Sequence, residues 1–282
     1  MCREHTVPTI SINHTDDPRI AAYRQVREAH LASRSGLFLA EGREIVRTLL
    51  TGSLYRAQSV LVTPVALESI ADALAQVHGD LPVYIAEQHL MNQIVGFDIH
   101  RGCLAAGERP STTAMETLLA ALPPRATVLA LESLTNHDNV GAIFRNAVAF
   151  GVAGVVLSAD CCDPLYRKAI RVSMGGALRV PFARATGRFA EVVADLKAAG
   201  FTTVALTPGG DVEARAMARR LAGSPRRALL LGAEGPGLTP DVMTAADLGV
   251  RIDMAPGVDS LNVATAAAIA LHHLSPVGTL DA

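Results

Sequence analysis

From residue 127 onwards, short apolar runs alternate with amphipathic runs, and this alternation constrains the fold more than any other feature of the sequence. The apolar runs predict strands at residues 127–131, 154–157, 179–182, 202–206, 228–231 and 250–254. The amphipathic runs predict helices at residues 140–150, 164–172, 189–199, 212–221, 240–246 and 262–273. Such regular alternation is typical of a parallel sheet that helices cover on both faces. Ligands of these sheets bind beyond the carboxyl ends of the strands.

The amino-terminal part predicts a smaller α/β unit. Its expected strands are residues 36–40, 59–63, 82–86 and 100–106, and its expected helices are residues 20–33, 42–50, 65–77 and 90–95. It has no glycine-rich phosphate loop and no paired catalytic candidates, which favours a role in substrate recognition. The polar segment GERPSTT at residues 107–113 predicts a domain boundary, with domains at residues 1–108 and 109–282.

Composition limits the class of protein. Half of the 282 residues are hydrophobic and only 18% are charged, so the chain can bury a substantial core. No apolar run approaches the roughly 18–20 residues of a membrane span, and the amino terminus lacks the order of a signal peptide. The four cysteines show no CxxC spacing, which argues against a zinc site. We therefore expect a cytoplasmic protein with reduced thiols, without a metal and without a membrane partner.

The charge is segregated along the chain. The net charge of −2 does not by itself indicate a nucleic-acid partner, but residues 164–190 contain no acidic residue. This stretch contains six basic residues: Arg167, Lys168, Arg171, Arg179, Arg184 and Arg188. Ordinary protein surfaces mix both signs of charge, so an acid-free stretch of this length favours an anionic partner.

One further segment predicts a strand, a turn and a buried helix. Residues 252–274 read IDMAPGVDSLNVATAAAIALHHL. Gly257 permits a backbone conformation that a side chain would disfavour, and either Ser260 or Asn262 can cap the amides that open the following helix. The free amides of such a turn can also bind a polar ligand.

Three motifs in order resemble the SpoU/TrmH family of RNA ribose 2′-O-methyltransferases, within the SPOUT class. The first is NVGAIFRNAVAFG at residues 139–151, with Asn139, Gly141 and Arg145 at the characteristic spacing. The second is LLLGAEGPGL at residues 229–238, which contains Gly232, Glu234, Gly237 and Leu238. The third is the Ser-Leu-Asn-Val sequence of Ser260–Val263, before a helix of small residues.

The resemblance implies a fold, a cofactor and a partner. Members of this family fold the carboxy-terminal chain into a deep trefoil knot, whose loops bind S-adenosylmethionine. They form homodimers through the knotted domain. The segment FLAEGREIV at residues 38–46 resembles, more loosely, the small amino-terminal α/β domain of many members, which is related to ribosomal RNA-binding proteins. We therefore expect the RNA-binding residues Arg24, Arg43, Arg167, Lys168 and Arg171.

The resemblance also implies an active site. The catalytic residues implied are Arg145, Asn139, Glu234, Ser260 and Asn262. The family gives the counterpart of Arg145 a central role, in some members as the group that activates the 2′-hydroxyl. Because arginine so rarely loses its proton, we expect it instead to bind phosphate and stabilise the alkoxide. A pair between Arg145 and Glu234 would hold the guanidinium in place, and Asn139 could simply cap its helix.

Backbone groups at strand ends are expected to hold the cofactor. The residues implied are Leu206, Thr207, Leu231, Gly232, Gly237, Ile252, Met254 and Leu261. The sequence departs from the family pattern twice: it has Asp253 where proline is frequent, and Ala264 where serine is frequent. Asp253 puts the local shape of the cofactor loop in doubt.

The function implied is methyl transfer to a ribose 2′-hydroxyl of structured RNA, with 23S ribosomal RNA as the first expectation and transfer RNA as the second. A non-catalytic RNA-binding protein would be expected to lose Arg145, Asn139 or Ser260, and all three are present. A nicotinamide-dependent dehydrogenase would share the α/β pattern. Its fingerprint is absent, because Gly232, Gly235 and Gly237 run in the reverse order of G-x-G-x-x-G.

Overall fold

The protein is represented by a computed structural model that describes residues 8–24, 36–77, 79–110 and 113–274. The chain forms two compact units. Unit 1 comprises Met1–Ser111 together with Leu165–Arg179, and unit 2 comprises Thr112–Pro164 together with Val180–Ala282. Residues 165–179 were expected in the second domain, whereas by its contacts this segment groups with unit 1.

Unit 1 contains a mixed sheet with the strand order β1-β4-β3-β5-β2. Its strands are β1 (Thr9–Ser11), β2 (Leu37–Glu41), β3 (Ala57–Val62), β4 (Val83–Ile85) and β5 (Cys103–Glu108). Its first three α-helices are α1 (Arg43–Thr51), α2 (Pro64–Leu74) and α3 (Gln88–Val95). Strands β1, β4 and β3 are parallel, and β5 pairs antiparallel with both β3 and β2.

A close cross-strand contact fixes β2 against β5. Phe38 of β2 lies opposite Gly107 of β5 in the antiparallel register. The Phe38 ring, which is 2% exposed, fills the space that a side chain at position 107 would need. A Cβ atom built on Gly107 would lie 2.2 Å from the ring carbon Cζ. The aromatic ring thus replaces the missing side chain of a strand glycine.

Unit 2 contains a seven-stranded sheet in which every neighbouring pair is parallel, as the alternation predicted. Its order is β10-β12-β9-β11-β6-β7-β8. The strands are β6 (Ala126–Leu131), β7 (Gly154–Leu157), β8 (Phe182–Arg184), β9 (Thr202–Leu206), β10 (Val212–Glu213), β11 (Arg226–Leu231) and β12 (Leu248–Arg251).

Seven α-helices follow along the described residues 113–274. Most of them connect the strands of unit 2, and one short helix belongs to unit 1 by its contacts. They are α4 (Met115–Ala121), α5 (His137–Ala149), α6 (Arg167–Val172), α7 (Phe189–Ala198), α8 (Ala214–Arg220), α9 (Pro240–Ala245) and α10 (Val263–Leu274). Of these, α6 is the helix that belongs to unit 1. The apolar residues of β6, β7, β9 and β11 form the buried centre of unit 2, which is why their sequences read as continuous hydrophobic runs.

Several predicted boundaries were wrong. The strand expected at residues 179–182 begins only at Phe182, because Gly175, at φ +79°, leads into a 3₁₀ helix over Gly176–Leu178. Strand β12 ends at Arg251 rather than at residue 254. The short strand β10 precedes α8, while β1 and α4 were not predicted. Of the helix predicted at residues 20–33, the described part is a 3₁₀ helix over Pro18–Tyr23, and residues 25–33 lie outside the described residues.

No helix among the described residues is long and apolar enough to cross a membrane. The described cysteines Cys103, Cys161 and Cys162 are free thiols. Burial raises the pKa of the Cys103 thiol, and likewise that of Cys162, to about 12. Both thiols are therefore protonated at neutral pH, which makes them poor nucleophiles.

Replacing Gly107 with alanine should destabilise unit 1 by about 1–3 kcal/mol, because the added methyl group forces the buried Phe38 ring out of its place. Gly52→Ala is the matched control in the same unit, since its Cβ would meet only a backbone oxygen at 3.9 Å and its φ is negative. Urea denaturation followed by circular dichroism measures both variants. Equal midpoints for the two variants would contradict this account of the β2–β5 contact.

Candidate active site

The carboxyl ends of three neighbouring strands meet at one edge of the unit 2 sheet. Strands β12, β9 and β11 are adjacent, and they end at Arg251, Leu206 and Leu231. The segments that follow these strands, together with residues 259–263, enclose a cavity of about 560 Å³. This volume lies within the range of about 300–1,000 Å³ that is usual for small-molecule sites.

The cavity lining contains every residue that the sequence analysis assigned to the cofactor. These residues are Leu206, Thr207, Leu231, Gly232, Gly237, Ile252, Met254 and Leu261. Three predicted catalytic residues, Glu234, Ser260 and Asn262, also line it. The prediction missed Met243 of α9 and Asp259, although Asp259 lies next to Ser260 in the third motif and that position could have indicated it.

Asp253 does not distort this wall of the cavity. Ile252 and Met254 face the cavity, whereas the Asp253 carboxylate accepts a hydrogen bond from Arg251 Nε at 3.1 Å. Successive side chains of an extended segment point to opposite sides, so one polar residue between two apolar ones leaves the cavity surface apolar. The family's frequent proline is therefore not needed for this arrangement.

Glycine makes the loop after β11 compact. A Cβ atom on Gly232 would lie 2.2 Å from the backbone carbon of Gly237, so only glycine fits there. Gly237, at φ +71°, donates its N–H to the Ala233 carbonyl at 3.0 Å and closes the loop. The backbone of residues 232–238 consequently forms one wall of the cavity with little side-chain bulk.

The Asn262 side chain joins all three motifs. Its Oδ1 accepts hydrogen bonds from the N–H groups of Ala264 and Thr265, at 3.0 and 3.2 Å, and so caps α10. Its Nδ2 donates to Asn139 Oδ1 at 2.8 Å and to Glu234 Oε1 at 3.1 Å. Of the two cap residues considered from the sequence, the structure therefore selects Asn262.

The cap determines what this turn can bind. Asn262 occupies the amides of Ala264 and Thr265, so these two amides do not bind a ligand, whereas the preceding turn residues 259–262 line the cavity. Among the described residues, the cavity lining contains two carboxylates, Glu234 and Asp259, and no lysine, arginine or histidine. A cavity of this charge suits a ligand with positive groups better than the pyrophosphate of a dinucleotide.

Asn139 does not cap α5, which was one of its two predicted roles. Asn136 is the cap, and its side chain accepts from the Asp138 N–H at 2.9 Å. Asn139 lies inside the helix, is 5% exposed, and bonds to Asn262 instead. Because the α10 cap fixes the orientation of the Asn262 amide, Asn139 must present Oδ1 to it, and Asn139 Nδ2 is left buried with no hydrogen-bond partner in the part of the chain that the structure describes. Unpaired buried donors are rare and costly in proteins.

The predicted pair between Arg145 and Glu234 is not present. Glu234 instead accepts from Asn262, while Arg145 is exposed on α5 and forms no hydrogen bond or ion pair with any described residue. Six residues separate Arg145 from Asn139, which corresponds to about 9 Å along the helix and about 120° around it. The guanidinium is thus on the surface, on a different side of α5 from Asn139.

All five predicted RNA-binding residues belong to unit 1, because α6 groups with it. Arg167 donates to Glu41 at 2.7 Å and stacks on the Phe97 ring at 4.4 Å. Lys168 and Arg171 are exposed on the same helix. Arg24 and Arg43 are only partly exposed; two guanidinium nitrogens of Arg24 and one of Arg43 are buried and have no hydrogen-bond partner among the described residues. Among the described residues, no group of three or more metal-ligating side chains is arranged to hold a metal ion.

Comparison with known proteins gives consistent matches. The model of the SpoU rRNA Methylase family matches residues 126–272, which span β6 to α10. A protein of Mycobacterium bovis named as an uncharacterised tRNA/rRNA methyltransferase is 40% identical over 277 residues, covering 93% of this chain and 92% of that protein. The 23S rRNA (guanosine-2′-O-)-methyltransferase RlmB of Acinetobacter baylyi is 33% identical over 196 residues, covering 68% and 77% respectively.

The fold is also similar to solved structures. The crystal structure of an AdoMet-bound rRNA methyltransferase from Sinorhizobium meliloti matches with a TM-score of 0.76 and 25% sequence identity. The match covers 94% of this chain and 97% of that one.

Replacing Asn262 with aspartate should separate its two roles, because aspartate keeps the cap of α10 but turns a carboxylate oxygen towards Asn139 Oδ1 and Glu234 Oε1. The neighbouring carboxylate raises the pKa of the new carboxyl above its unfolded value, so the folded variant binds the extra proton and its stability falls as pH rises. Thermal unfolding should therefore show a larger loss for this variant at pH 8 than at pH 5. Asn262→Ala, the control, should lose about 1 kcal/mol or more at both pH values; parallel behaviour of the two variants would contradict the bonding described here.

Proposed function

Because this chain belongs to the SpoU rRNA methylase family, we propose that it transfers a methyl group from S-adenosylmethionine to a ribose 2′-hydroxyl of structured RNA. The observation that carries the proposal is that the second and third motifs line one cavity, while Asn262 of the third motif bonds to Glu234 of the second and to Asn139 of the first. The first candidate substrate is 23S ribosomal RNA, which the name of the Acinetobacter relative supports. Transfer RNA is the second, since the Mycobacterium relative carries both in its name.

The cavity fits S-adenosylmethionine in size and charge. Apolar side chains at Leu206, Leu231 and Ile252 offer contacts to an adenine ring, and the compact backbone of residues 232–238 lets a ligand approach closely. The carboxylates of Glu234 and Asp259 suit the positive ammonium and sulfonium groups. When bound, the cofactor supplies an electrophilic methyl group, so the protein needs chiefly to bind and orient the two reactants. Positioning of this kind contributes on the order of 7–11 kcal/mol in well-oriented cases.

Arg145 is proposed to hold the RNA at the reacting ribose. The guanidinium is exposed and makes no hydrogen bond or ion pair with the part of the chain that the structure describes, so it can bind a phosphate in bidentate fashion. A fixed positive charge beside the attacking oxygen also stabilises the negative charge that develops as the hydroxyl loses its proton. Arginine is suited to this stabilising role because it stays protonated.

The asparagine and glutamate residues are proposed to hold the geometry of the site. Asn262 fixes Glu234 beside the cavity and ties the start of α10 to α5 through Asn139. Since α5 also carries Arg145, this bond sets the distance between the RNA-binding guanidinium and the cavity. Ser260, which lines the cavity two residues before Asn262, is proposed to contact a reactant directly.

Unit 1 is proposed to bind the RNA outside the reacting nucleotide. Lys168 and Arg171 are exposed on α6, and Arg167 lies beside them. The Arg24 and Arg43 guanidinium groups are partly buried in the same unit, so we assign them a weaker direct contact with RNA than the α6 residues. Charges of this kind bind the phosphate backbone without reading its sequence.

The family resemblance supports three further proposals. The chain after β11 is proposed to form a deep trefoil knot, which would account for a cavity built from segments far apart in sequence. The protein is proposed to act as a cytoplasmic homodimer that pairs through unit 2. Size-exclusion chromatography with light scattering tests the dimer, and a monomer that methylates RNA would refute that part.

Calorimetry with S-adenosylmethionine and with NAD tests the cofactor, and incubation of labelled S-adenosylmethionine with separated RNA fractions tests the reaction. We expect S-adenosylmethionine, but not NAD, to bind with a micromolar or lower dissociation constant. The label should be recovered in nucleotides that are methylated at the ribose. Binding of NAD alone would overturn the proposal. Cofactor and RNA binding without transfer would instead favour a non-catalytic RNA-binding protein.

Replacing Arg145 with alanine should lower kcat on the order of 10²–10³-fold, because a preorganised positive charge at the reacting oxygen is lost. The dissociation constant for S-adenosylmethionine should change less than about twofold, since Arg145 does not line the cavity. Arg220→Ala removes one exposed positive charge from α8 and serves as the control, with kcat unchanged. Equal losses of cofactor affinity and of kcat in Arg145→Ala would refute the role given to this residue.

A further inference from the structure

Glu132 is a buried carboxylate at the cavity edge of the sheet. It directly follows β6, the strand beside β11, and it is 5% exposed. Its side chain accepts two hydrogen bonds from one residue: Oε2 from the Thr239 N–H at 2.9 Å and Oε1 from the Thr239 hydroxyl at 2.8 Å. Hydrogen bonds to a charged acceptor are about twice as strong as neutral ones.

Glu132 binds both ends of the loop that forms one wall of the cavity. Its backbone N–H donates to the carbonyl of Leu231, the last residue of β11, at 2.8 Å. Its carboxylate holds Thr239, which follows the loop and precedes α9. The seven residues between these points, 232–238, all line the cavity. A single residue outside the cavity lining thus fixes where the loop leaves the sheet and where it ends.

We propose that Glu132 is a positioning residue that holds residues 232–238 in the conformation that binds S-adenosylmethionine. The inference rests on the proposed function, because it concerns the affinity for that cofactor. It follows from the entropy of the loop: five of the seven residues are glycine, alanine or proline, and three of those are glycine. Short side chains contribute few contacts that could order the loop, so its two ends contribute to its order together with the Gly237–Ala233 and Asn262–Glu234 hydrogen bonds.

The chain provides a matched pair of the same chemistry elsewhere. Asp247 Oδ2 accepts from the N–H and from the hydroxyl of Thr203, both at 2.8 Å. Thr203 lies near the start of β9 and Asp247 just before β12, so this pair lies at the opposite edge of the sheet from the cavity. The Thr203 hydroxyl also accepts a hydrogen bond from the Asp247 N–H at 3.1 Å, so removing it loses the equivalent bond and one more, without disturbing the loop.

The experiment measures the dissociation constant for S-adenosylmethionine by calorimetry and the melting temperature for four variants of the full chain. Thr239→Val removes the hydroxyl at nearly constant volume, and should raise the dissociation constant about tenfold. Thr203→Val should lower the melting temperature at least as much as Thr239→Val does. It should leave the dissociation constant for S-adenosylmethionine within about twofold of the wild-type value. Glu132→Leu should weaken the binding of S-adenosylmethionine most. If Glu132→Leu fails to fold, Thr239→Val still tests the inference, because Thr239 is exposed and its substitution is less disruptive.

Glu132→Gln provides the rescue. Its amide oxygen can accept from the Thr239 N–H and its amide N–H can donate to the Thr239 hydroxyl oxygen, since a hydroxyl both donates and accepts. The dissociation constant of Glu132→Gln for S-adenosylmethionine should therefore stay within about twofold of that of the wild-type protein. Equal weakening by Thr203→Val and Thr239→Val would overturn the inference, as would unchanged affinity in Thr239→Val. If the unchanged protein does not bind S-adenosylmethionine, the proposed function itself fails.

Discussion

The site depends on the hydrogen-bonding capacity of one amide side chain. Asn262 has a single oxygen, which caps α10, and a single amide nitrogen, which bonds to Asn139 and Glu234. An amide cannot exchange its two ends without losing bonds on both sides, so the helix cap also fixes the direction of the bonds to the other motifs. Three stretches that are far apart in sequence are consequently held in one orientation.

The parallel sheet makes this possible. Strands β9, β11 and β12 lie side by side and run in the same direction, so the segments after them emerge at one edge. Residues 206–208, 231–238 and 252–262 then need no long loops to meet. Glycine at position 232 allows the backbone of that loop to fold back on Gly237, which leaves room for a ligand rather than for side chains.

Similar carboxylate–threonine pairs lie at the two ends of the strands in the unit 2 sheet, and they join different segments. In both pairs, Asp247 with Thr203 and Glu132 with Thr239, the carboxylate accepts one hydrogen bond from the threonine N–H and one from its hydroxyl. The Asp247 N–H additionally donates to Thr203. At the edge without the cavity, the pair joins two strands. At the cavity edge, it joins a strand to the end of a glycine-rich loop. The two pairs share these carboxylate hydrogen bonds, and their different positions in the sheet are the reason that the proposed role in ligand binding falls to Glu132 and Thr239.

Much of the candidate site could be predicted because its residues belong to short motifs whose local structure is simple. The eight residues that the family resemblance implied for the cofactor all line the cavity. Six of them lie at the end of a strand or within three residues of it, and parallel strands bring these ends together, while Gly237 and Leu261 lie further along the loops. Side-chain partners were harder to predict. Arg145 and Glu234 were expected to pair, but the rotation of α5 directs Arg145 to the surface and Asn262 takes the Glu234 carboxylate.

The sequence by itself determined the alternation of strands and helices, the parallel sheet and the glycine positions of the loop, because these follow from local periodicity and backbone sterics. Only the tertiary structure decided that α6 groups with unit 1, that Glu132 joins both ends of the cavity loop, and that Asn262 bonds across three motifs. Each of these depends on contacts between residues distant in sequence. A pattern along the chain specifies which face of an element is apolar, but the partner of a polar side chain is set by the packing of the whole domain.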